Sequence, residues 1–279
     1  MTGVALAGVL AAWWATRAPA TAPPCPVVRG PAALPDLPEA SGLAISRRTP
    51  GLIWAHNDSG NAEILFALNT SGAVLGRVRV PVSARDWEDV SSAPCDSGTC
   101  LYIADIGDNA LMRQRLAVYR VPEPSPGDAQ TARPDRFSVF YPDGSHNAKA
   151  AFLLDNRLFI ITKDQTGGLY RSVSRLESEG DVMLEHIGEL GLRAVTDAET
   201  SPDGALVVVR TPHDAVYYRA AELARGTVAP RARVPLDSLG EPQSEGVALD
   251  TDGTLYLASE GRPWTGGGSL VALRCVASR

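Results

Sequence analysis

The sequence predicts an all-β fold, a five-bladed β-propeller whose ring is closed by a strand near the N-terminus. Three observations predict it: a fivefold internal repeat, turn-forming residues between short apolar runs, and a last repeat that lacks one strand. A radial array of small sheets produces such a repeat, because no single unit can bury its own faces. Six blades are the alternative.

Each repeat begins with a short stretch of apolar, small or acidic residues and continues with an apolar run that ends in a polar or charged residue. The stretches begin at Ser41, Glu88, Ala148, Asp197 and Glu245. The runs are 52–56, 101–105, 158–163, 206–210 and 255–260. Turn formers such as Pro202-Asp203-Gly204 separate the runs, which therefore read as short strands.

The fifth repeat has only three predicted strands, 245–250, 254–259 and 269–274. The segment 26–29 is the candidate for its fourth strand, and this pairing would remove the exposed edges of an open array. The interval between the second and third repeats is the longest. Its excess, 122–134, is rich in Pro, Ser and Gly and predicts an excursion on the outer rim.

Four cysteines support closure of the ring. Cys25 flanks the closing strand and Cys275 follows the last strand, while Cys95 and Cys100 bracket a predicted hairpin tip. Four cysteines allow three pairings, and the sequence alone does not decide among them. A bridge Cys25–Cys275 would lock the ring, and Cys95–Cys100 suits a local bridge. The zinc-site alternative lacks the Cys-x-x-Cys spacing and a nearby histidine.

Residues 1–24 predict a signal peptide or an N-terminal anchor, followed by one domain over 25–279. The apolar run 4–14 has signal-peptide length, and Ala18-Pro19-Ala20 offers a small-residue cleavage pattern. No basic residue precedes Arg17, so an uncleaved anchor is the alternative. We expect a secreted or cell-envelope protein, because disulfides suit an oxidising compartment, and membrane attachment only through this segment.

The chain is mildly acidic, with a formal net charge of −6 and no run of Lys and Arg. This balance argues against nucleic acid as a partner, because phosphate backbones require clustered basic residues. We expect a monomer whose partner is a small molecule, a glycan or a protein.

Charged side chains recur at aligned positions, on the first strands and at the ends of the second strands. In a propeller these positions converge on the central channel. The predicted ligand-binding residues are His56, Glu88, Asp105, Lys149, Lys163, Asp197, Arg210, Glu245 and Glu260. The alternative is that many of these are solvated loop residues or a channel-filling ion network.

Lysine usage singles out the third repeat. Of 26 basic residues only Lys149 and Lys163 are lysines, and both fall at predicted channel positions. Lysine differs from arginine as a compact point charge whose pKa shifts on burial. We expect both at one end of the channel, with Lys163 the more strongly influenced by carboxylates of neighbouring repeats.

Two kinds of chemistry are considered for the channel. Glu88, Asp105, Glu245 and Glu260 offer the oxygen ligands that Ca²⁺ prefers, although lysine and arginine in the same ring oppose a cation. A Ser-His-Asp hydrolase has weak support, because no Gly-x-Ser-x-Gly elbow occurs and the histidines have no obvious serine partner.

Several motifs resemble secreted bacterial propeller proteins. The stretches are Asp86–Val90, Tyr102–Asn109, Val118–Pro122, Ile161–Lys163, Glu245–Ala248 and Ser259–Gly261. The last two are also similar to esterase-like and phytase-like propellers and, more distantly, to gluconolactonase-type propellers, whose centre holds a divalent metal. This resemblance implies the propeller fold over residues 40–275 and a metal site. Lys149 departs from it, since those proteins often carry an acidic residue in the third inner strand.

Two function classes follow. The first is an exported, non-catalytic propeller that binds a small ligand, a glycan or a protein at the charged channel. The second is a hydrolase of a phosphoester, lactone or other ester, with a metal or Lys/Glu pairs as acid–base groups.

Overall fold

The computed structural model describes residues 25–261 and 266–275. The predicted signal or anchor segment, 1–24, lies outside the described residues. No helix in the described part of the chain is both long and apolar enough to cross a membrane.

The described chain is built from twenty strands. They are β1 (Val27–Leu34), β2 (Ala40–Ile45), β3 (Leu52–Asn57), β4 (Ile64–Asn69), β5 (Val74–Arg79), β6 (Trp87–Cys95), β7 (Gly98–Asp105), β8 (Leu116–Pro122), β9 (Asp135–Phe140), β10 (Ala148–Leu154), β11 (Arg157–Thr162), β12 (Gly168–Ser172), β13 (Gly180–Glu189), β14 (Asp197–Thr200), β15 (Leu206–Arg210), β16 (Asp214–Arg219), β17 (Ala232–Pro235), β18 (Gln243–Leu249), β19 (Thr254–Glu260) and β20 (Gly268–Arg274). A short helix, Ala220–Leu223, and a 3₁₀ turn, Asp237–Leu239, lie between strands. The all-β prediction is confirmed.

The strands form three four-stranded sheets and one eight-stranded sheet. The four-stranded sheets have the orders β2-β3-β4-β5, β14-β15-β16-β17 and β1-β20-β19-β18. The eight-stranded sheet joins the antiparallel runs β6 to β9 and β10 to β13, because β9 and β13 pair in parallel. The predicted turns separate consecutive antiparallel strands.

The first strand of each run lies at the centre. Strand β2 contacts β6, β6 contacts β10, β10 contacts β14, β14 contacts β18, and β18 contacts β2. Most residues of these five strands are buried. The inner strands therefore form a closed ring, and apolar clusters fill the spaces between neighbouring runs.

The predicted closing strand is confirmed and is longer than expected. Strand β1 pairs antiparallel with β20 from Val27 to Leu34, so both ends of the described chain share one sheet. The structure decides the pairing that the sequence left open: the disulfides are Cys25–Cys275 and Cys95–Cys100. Disulfide bonds of this kind indicate an oxidising environment.

The excursion 122–134 packs against the outer strand β5. Arg79 exchanges backbone hydrogen bonds with Ala129 and Thr131, so the segment extends the edge of that sheet. The Glu123 carboxylate is buried and accepts hydrogen bonds from Trp54 Nε1 and from the Ser46 hydroxyl. Within the described chain this segment forms no sheet of its own.

Candidate functional site

Lys149 lies at the centre of a cluster of carboxylates at one end of the ring. It sits near the start of β10, and its side chain is 7% exposed. Its Nζ lies 2.7 Å from Glu88 Oε2, 2.8 Å from Asp58 Oδ2 and 3.4 Å from Glu245 Oε2. The three carboxylates come from three different four-strand runs. Asp58 follows β3 in the first run, Glu88 lies in β6 of the second run, and Glu245 lies in β18 of the fifth run. We call this end of the ring the mouth.

The protonation states at the mouth follow from burial and from Lys149. Burial lowers the pKa of Lys149, but Glu88, Glu245 and Asp58 outweigh it and the net shift is upward. Burial raises the pKa of Glu88 to about 8, although the ammonium pulls it down. Burial raises the pKa of Asp58, but Lys149 and the Ser59 amide together outweigh it and the net shift is downward. At neutral pH Lys149 and Asp58 are therefore charged, while Glu88 is mostly protonated.

Glu260 stands at the edge of the same cluster. Burial, with the Glu245 carboxylate as the second cause, raises the pKa of half-buried Glu260 to about 7, against the opposing effect of Lys149. Two carboxyl groups of the mouth thus change protonation close to neutral pH. Groups poised in this way are typical of functional sites, although structural ion networks also produce them.

Three carboxylates could hold a cation at the mouth. Oxygen atoms of Asp58, Asp86 and Glu88 all lie within 4.8 Å of one another. The backbone of Gly107 passes against Asp86 and Glu88, and a Cβ at this position would clash with both carboxylates. A side chain at this position would therefore displace the two carboxylates. The Lys149 ammonium contacts two of the three acids, so it stands where a bound cation would be placed.

His56 is buried behind this cluster. Its Nδ1 lies 2.8 Å from the carbonyl oxygen of Asn57, and its ring meets Trp87 edge-on with centroids 5.7 Å apart. Burial is the main cause that lowers the pKa of His56 to about 4. The ring is therefore neutral, with Nδ1 donating to Asn57, and Nε2 has no hydrogen-bond partner among the described residues.

Asp105 is placed in a separate arrangement. Its Oδ1 accepts hydrogen bonds from the Arg113 guanidinium at 2.8 Å and from the Asp86 amide at 3.0 Å, and its Oδ2 accepts one from the Arg85 amide at 3.1 Å. Both oxygens are engaged by the protein, so Asp105 positions the segment that carries Asp86 and Glu88.

Arg210 also has protein partners. Its guanidinium donates to the carbonyl oxygens of Gly246 and Ala258 and forms an ion pair with Glu241 at 2.5 Å. It thus ties the fourth run to the fifth beside Glu245.

Asp197 lies deeper in the ring, beside Asp89. Each carboxylate accepts a hydrogen bond from a backbone amide of the neighbouring inner strand. Asp89 accepts from Ala151 at 2.7 Å, and Asp197 accepts from Val247 at 2.5 Å. Burial raises the pKa of both, that of Asp197 to about 7. The two buried carboxyl groups therefore keep protons to a higher pH than free aspartates do, and their hydrogen bonds to Ala151 and Val247 link inner strands.

Lys163 is placed apart from Lys149, on the wall of a neighbouring cavity. The expectation that Lys163 would be the lysine most influenced by carboxylates is wrong, because the carboxylates surround the ammonium of Lys149. The structure thus brings Glu88, Lys149, Glu245 and Glu260 together.

Sequence reasoning left Asp58 and Asp86 out of the candidate set. Asp58 follows the second strand of the first repeat, two residues after His56, and Asp86 begins the Asp86–Val90 motif. The available signal was their closeness in the sequence to His56 and Glu88, which are in the candidate set.

The buried acid pair gives the first testable prediction. We expect Asp89→Asn to reduce the pH dependence of stability, because an amide nitrogen can donate to Asp197 in place of the acid's proton. In the wild type folded Asp89 keeps a proton that the unfolded chain has released above about pH 4. This proton makes stability fall as pH rises from about 4 to 7, by up to about 1.4 kcal/mol per pH unit, in addition to the falls that Glu88 and Glu260 cause.

Urea unfolding at a series of pH values across this window measures the slope. Asp155→Asn is the matched control, because Asp155 is exposed in a turn and already has a positive φ that asparagine tolerates. An unchanged slope in Asp89→Asn would show that folded Asp89 keeps no such proton.

Comparison with known proteins supports the fold and leaves the activity open. No protein-family model and no curated protein sequence matches the chain. Among solved structures it is similar to a glucose dehydrogenase, with 14% identity, a TM-score of 0.53 and coverage of 90% of this chain and 100% of that one.

Two further structures are similar at the same level. One is the PQQ-bound aldose sugar dehydrogenase of Streptomyces coelicolor, with 14% identity, a TM-score of 0.50 and coverage of 91% and 99%. The other is a gluconolactonase of Xanthomonas campestris, with 10% identity, a TM-score of 0.49 and coverage of 91% and 98%. At such identity the likeness shows a propeller-type fold alone.

Proposed function

We propose that this chain is an exported hydrolase of a small ester or lactone, with Glu88 as its acid–base group. The observation that carries the proposal is the position of Glu88: a buried carboxyl with a pKa of about 8, 2.7 Å from the ammonium of Lys149. General acid–base catalysis is most efficient when the pKa of the group lies near the working pH.

In the proposed reaction, the Glu88 carboxylate takes a proton from water as the water oxygen attacks the carbonyl carbon. Lys149 remains protonated and stabilises the developing oxyanion, as positioned charges do in a site that excludes water. The C–O bond to the leaving alcohol then breaks, and Glu88 returns its proton to that oxygen. Asp58 holds the ammonium in place at 2.8 Å.

A resident divalent metal does not fit the mouth while Lys149 is present. Asp58, Asp86 and Glu88 supply suitable oxygen atoms, but the ammonium contacts two of them and already provides the positive charge. Two cations in this space would repel each other. We therefore route no step through Ca²⁺ or another metal.

The architecture that we propose is a single domain, 25–279, of five blades. The ring of five inner strands supports this count, with the eight-stranded sheet taken as two blades joined through β9 and β13. We propose that the protein is monomeric and secreted or bound to the cell envelope, with residues 1–24 as the export segment. The two disulfides support export.

A second candidate is a non-catalytic module that binds a small molecule, a glycan or a protein. A cavity of ≈ 520 Å³ beside Glu245 favours it, because this volume suits a small ligand. Turnover of any substrate separates the two candidates.

The test of the hydrolase is a panel of p-nitrophenyl esters, phosphate esters and aldonolactones, assayed with purified protein. We expect turnover of an ester or lactone that rises with pH and is half-maximal near pH 8, as Glu88 becomes ionised, and a loss of at least about 100-fold in Glu88→Gln. Glu177→Gln, an exposed acid far from the mouth, is the control. Turnover unaffected by Glu88→Gln would refute the assignment, and a panel without any turnover would favour the binding module.

A further inference from the structure

The cavity beside the mouth is formed by four segments of the chain. Lys163 follows β11, Ala194 and Thr196 precede β14, Pro212 and His213 follow β15, and the segment 236–245 closes the other side. The cavity shares Glu245 with the Lys149 cluster, so a ligand bound in it would extend toward Glu88. It is large enough for a molecule of the size of a monosaccharide.

Each carboxylate that lines this cavity has a cationic or basic partner in the protein. Asp237 Oδ1 lies 2.7 Å from His213 Nδ1, and Glu241 Oε2 lies 2.5 Å from Arg210 Nη2. Glu245 Oε2 faces Lys149 Nζ at 3.4 Å, and its Oε1 accepts a hydrogen bond from Gln243.

Lys163 is the exception among the charged groups of the wall. It is half-buried, and no ion pair joins it to a carboxylate of the described chain. The adjacent Asp164 is engaged elsewhere: its oxygens accept hydrogen bonds from the Thr162 hydroxyl and from the amides of Thr166 and Gly167. Lys163 is therefore a cation without a partner on the wall of a cavity.

An ammonium without a counter-charge on the wall of a cavity can form a charge-assisted hydrogen bond with a ligand anion. We propose that this cavity binds a small molecule through a carboxylate or phosphate group held by Lys163. Resting on the proposed function, the inference makes the substrate an anionic ester or lactone, whose anionic end lies at Lys163 and whose reacting carbonyl points toward Glu88.

Calorimetric titration tests the inference without relying on turnover. The probes are D-glucuronate, D-glucose 6-phosphate and uncharged D-glucose. We expect at least one anionic probe to bind at least about 10-fold more tightly than glucose, in line with a charge-assisted hydrogen bond. Which of the two binds more tightly distinguishes a carboxylate from a phosphate ligand.

Lys163→Gln should remove this preference, while Arg175→Gln, an exposed charge outside the cavity, should preserve it. Glu88→Gln should also preserve it, so an inactive hydrolase would leave the inference standing. Equal binding of glucose and both anions, no binding of either anion, or unchanged anion binding in Lys163→Gln would each overturn it.

Discussion

Replacing Lys149 with methionine is expected to destabilise the fold and to create a site for a divalent cation. Removing one partner of a buried ion pair costs about 3–5 kcal/mol, because the remaining charge has no counter-ion. In this variant Glu88 and Glu245, which are 1% and 3% exposed, lose the ammonium as their partner, and so does Asp58. Protonation of Glu88, whose pKa burial already raises to about 8, relieves the penalty at lower pH, so the loss should grow as pH rises.

In the same variant, the neighbouring oxygen atoms of Asp58, Asp86 and Glu88 no longer have an ammonium beside them. Carboxylate oxygens at this spacing suit Ca²⁺. We therefore expect millimolar Ca²⁺ to raise the melting temperature of Lys149→Met and to leave that of the wild type unchanged. A ligand that binds only the folded state stabilises it by mass action, so the shift reports binding directly.

Thermal unfolding with Ca²⁺ or with EDTA measures both effects. Lys149→Arg is the control, because it keeps a positive charge among the carboxylates and should gain no stability from Ca²⁺. Stabilisation of the wild type by Ca²⁺ would show that the ammonium and a metal share the mouth, and would reopen metal-assisted hydrolysis. A Lys149→Met protein as stable as the wild type at pH 8 would show that the cluster is not charged as described.

The sequence predicted the fold better than the site, and the reasons are physical. The alternation of apolar runs and turn formers is a local property, so strands such as β14 and β15 could be read from neighbouring residues. The closing strand β1 was predictable because the last repeat lacked a partner for its edge. The parallel pairing of β9 with β13 was missed, because it joins strands more than forty residues apart with no shared motif.

The site depends on side-chain direction, which spacing alone does not give. Glu88, Lys149 and Glu245 lie near the start of three of the five inner strands, β6, β10 and β18, and the structure brings their side chains together. Asp105 is as acidic and as well aligned, but the local chain turns its carboxylate toward Arg113. Lys149 and Lys163 were both predicted to face the channel. Only the packing shows that carboxylates surround Lys149 and do not surround Lys163.

Removing the disulfide between Cys25 and Cys275 is the second change with a large expected effect. The bond links residues 250 positions apart, so in the unfolded chain it closes a loop that spans nearly the whole described protein. Loop-closure entropy gives an upper estimate of about 5 kcal/mol for a loop of this length, against about 2 kcal/mol for the short loop between Cys95 and Cys100. The bond also flanks the β1–β20 pairing, which closes the ring.

We therefore expect the Cys25→Ser/Cys275→Ser variant to unfold at a clearly lower urea concentration than Cys95→Ser/Cys100→Ser, as followed by circular dichroism. The comparison is internally matched, because each variant exchanges two sulfur atoms for two hydroxyls. Equal losses in the two variants would mean that loop length does not determine the stabilisation. An unaffected Cys25→Ser/Cys275→Ser protein would mean that strand pairing alone holds the ring closed, since β1 would then remain on β20 without a covalent link.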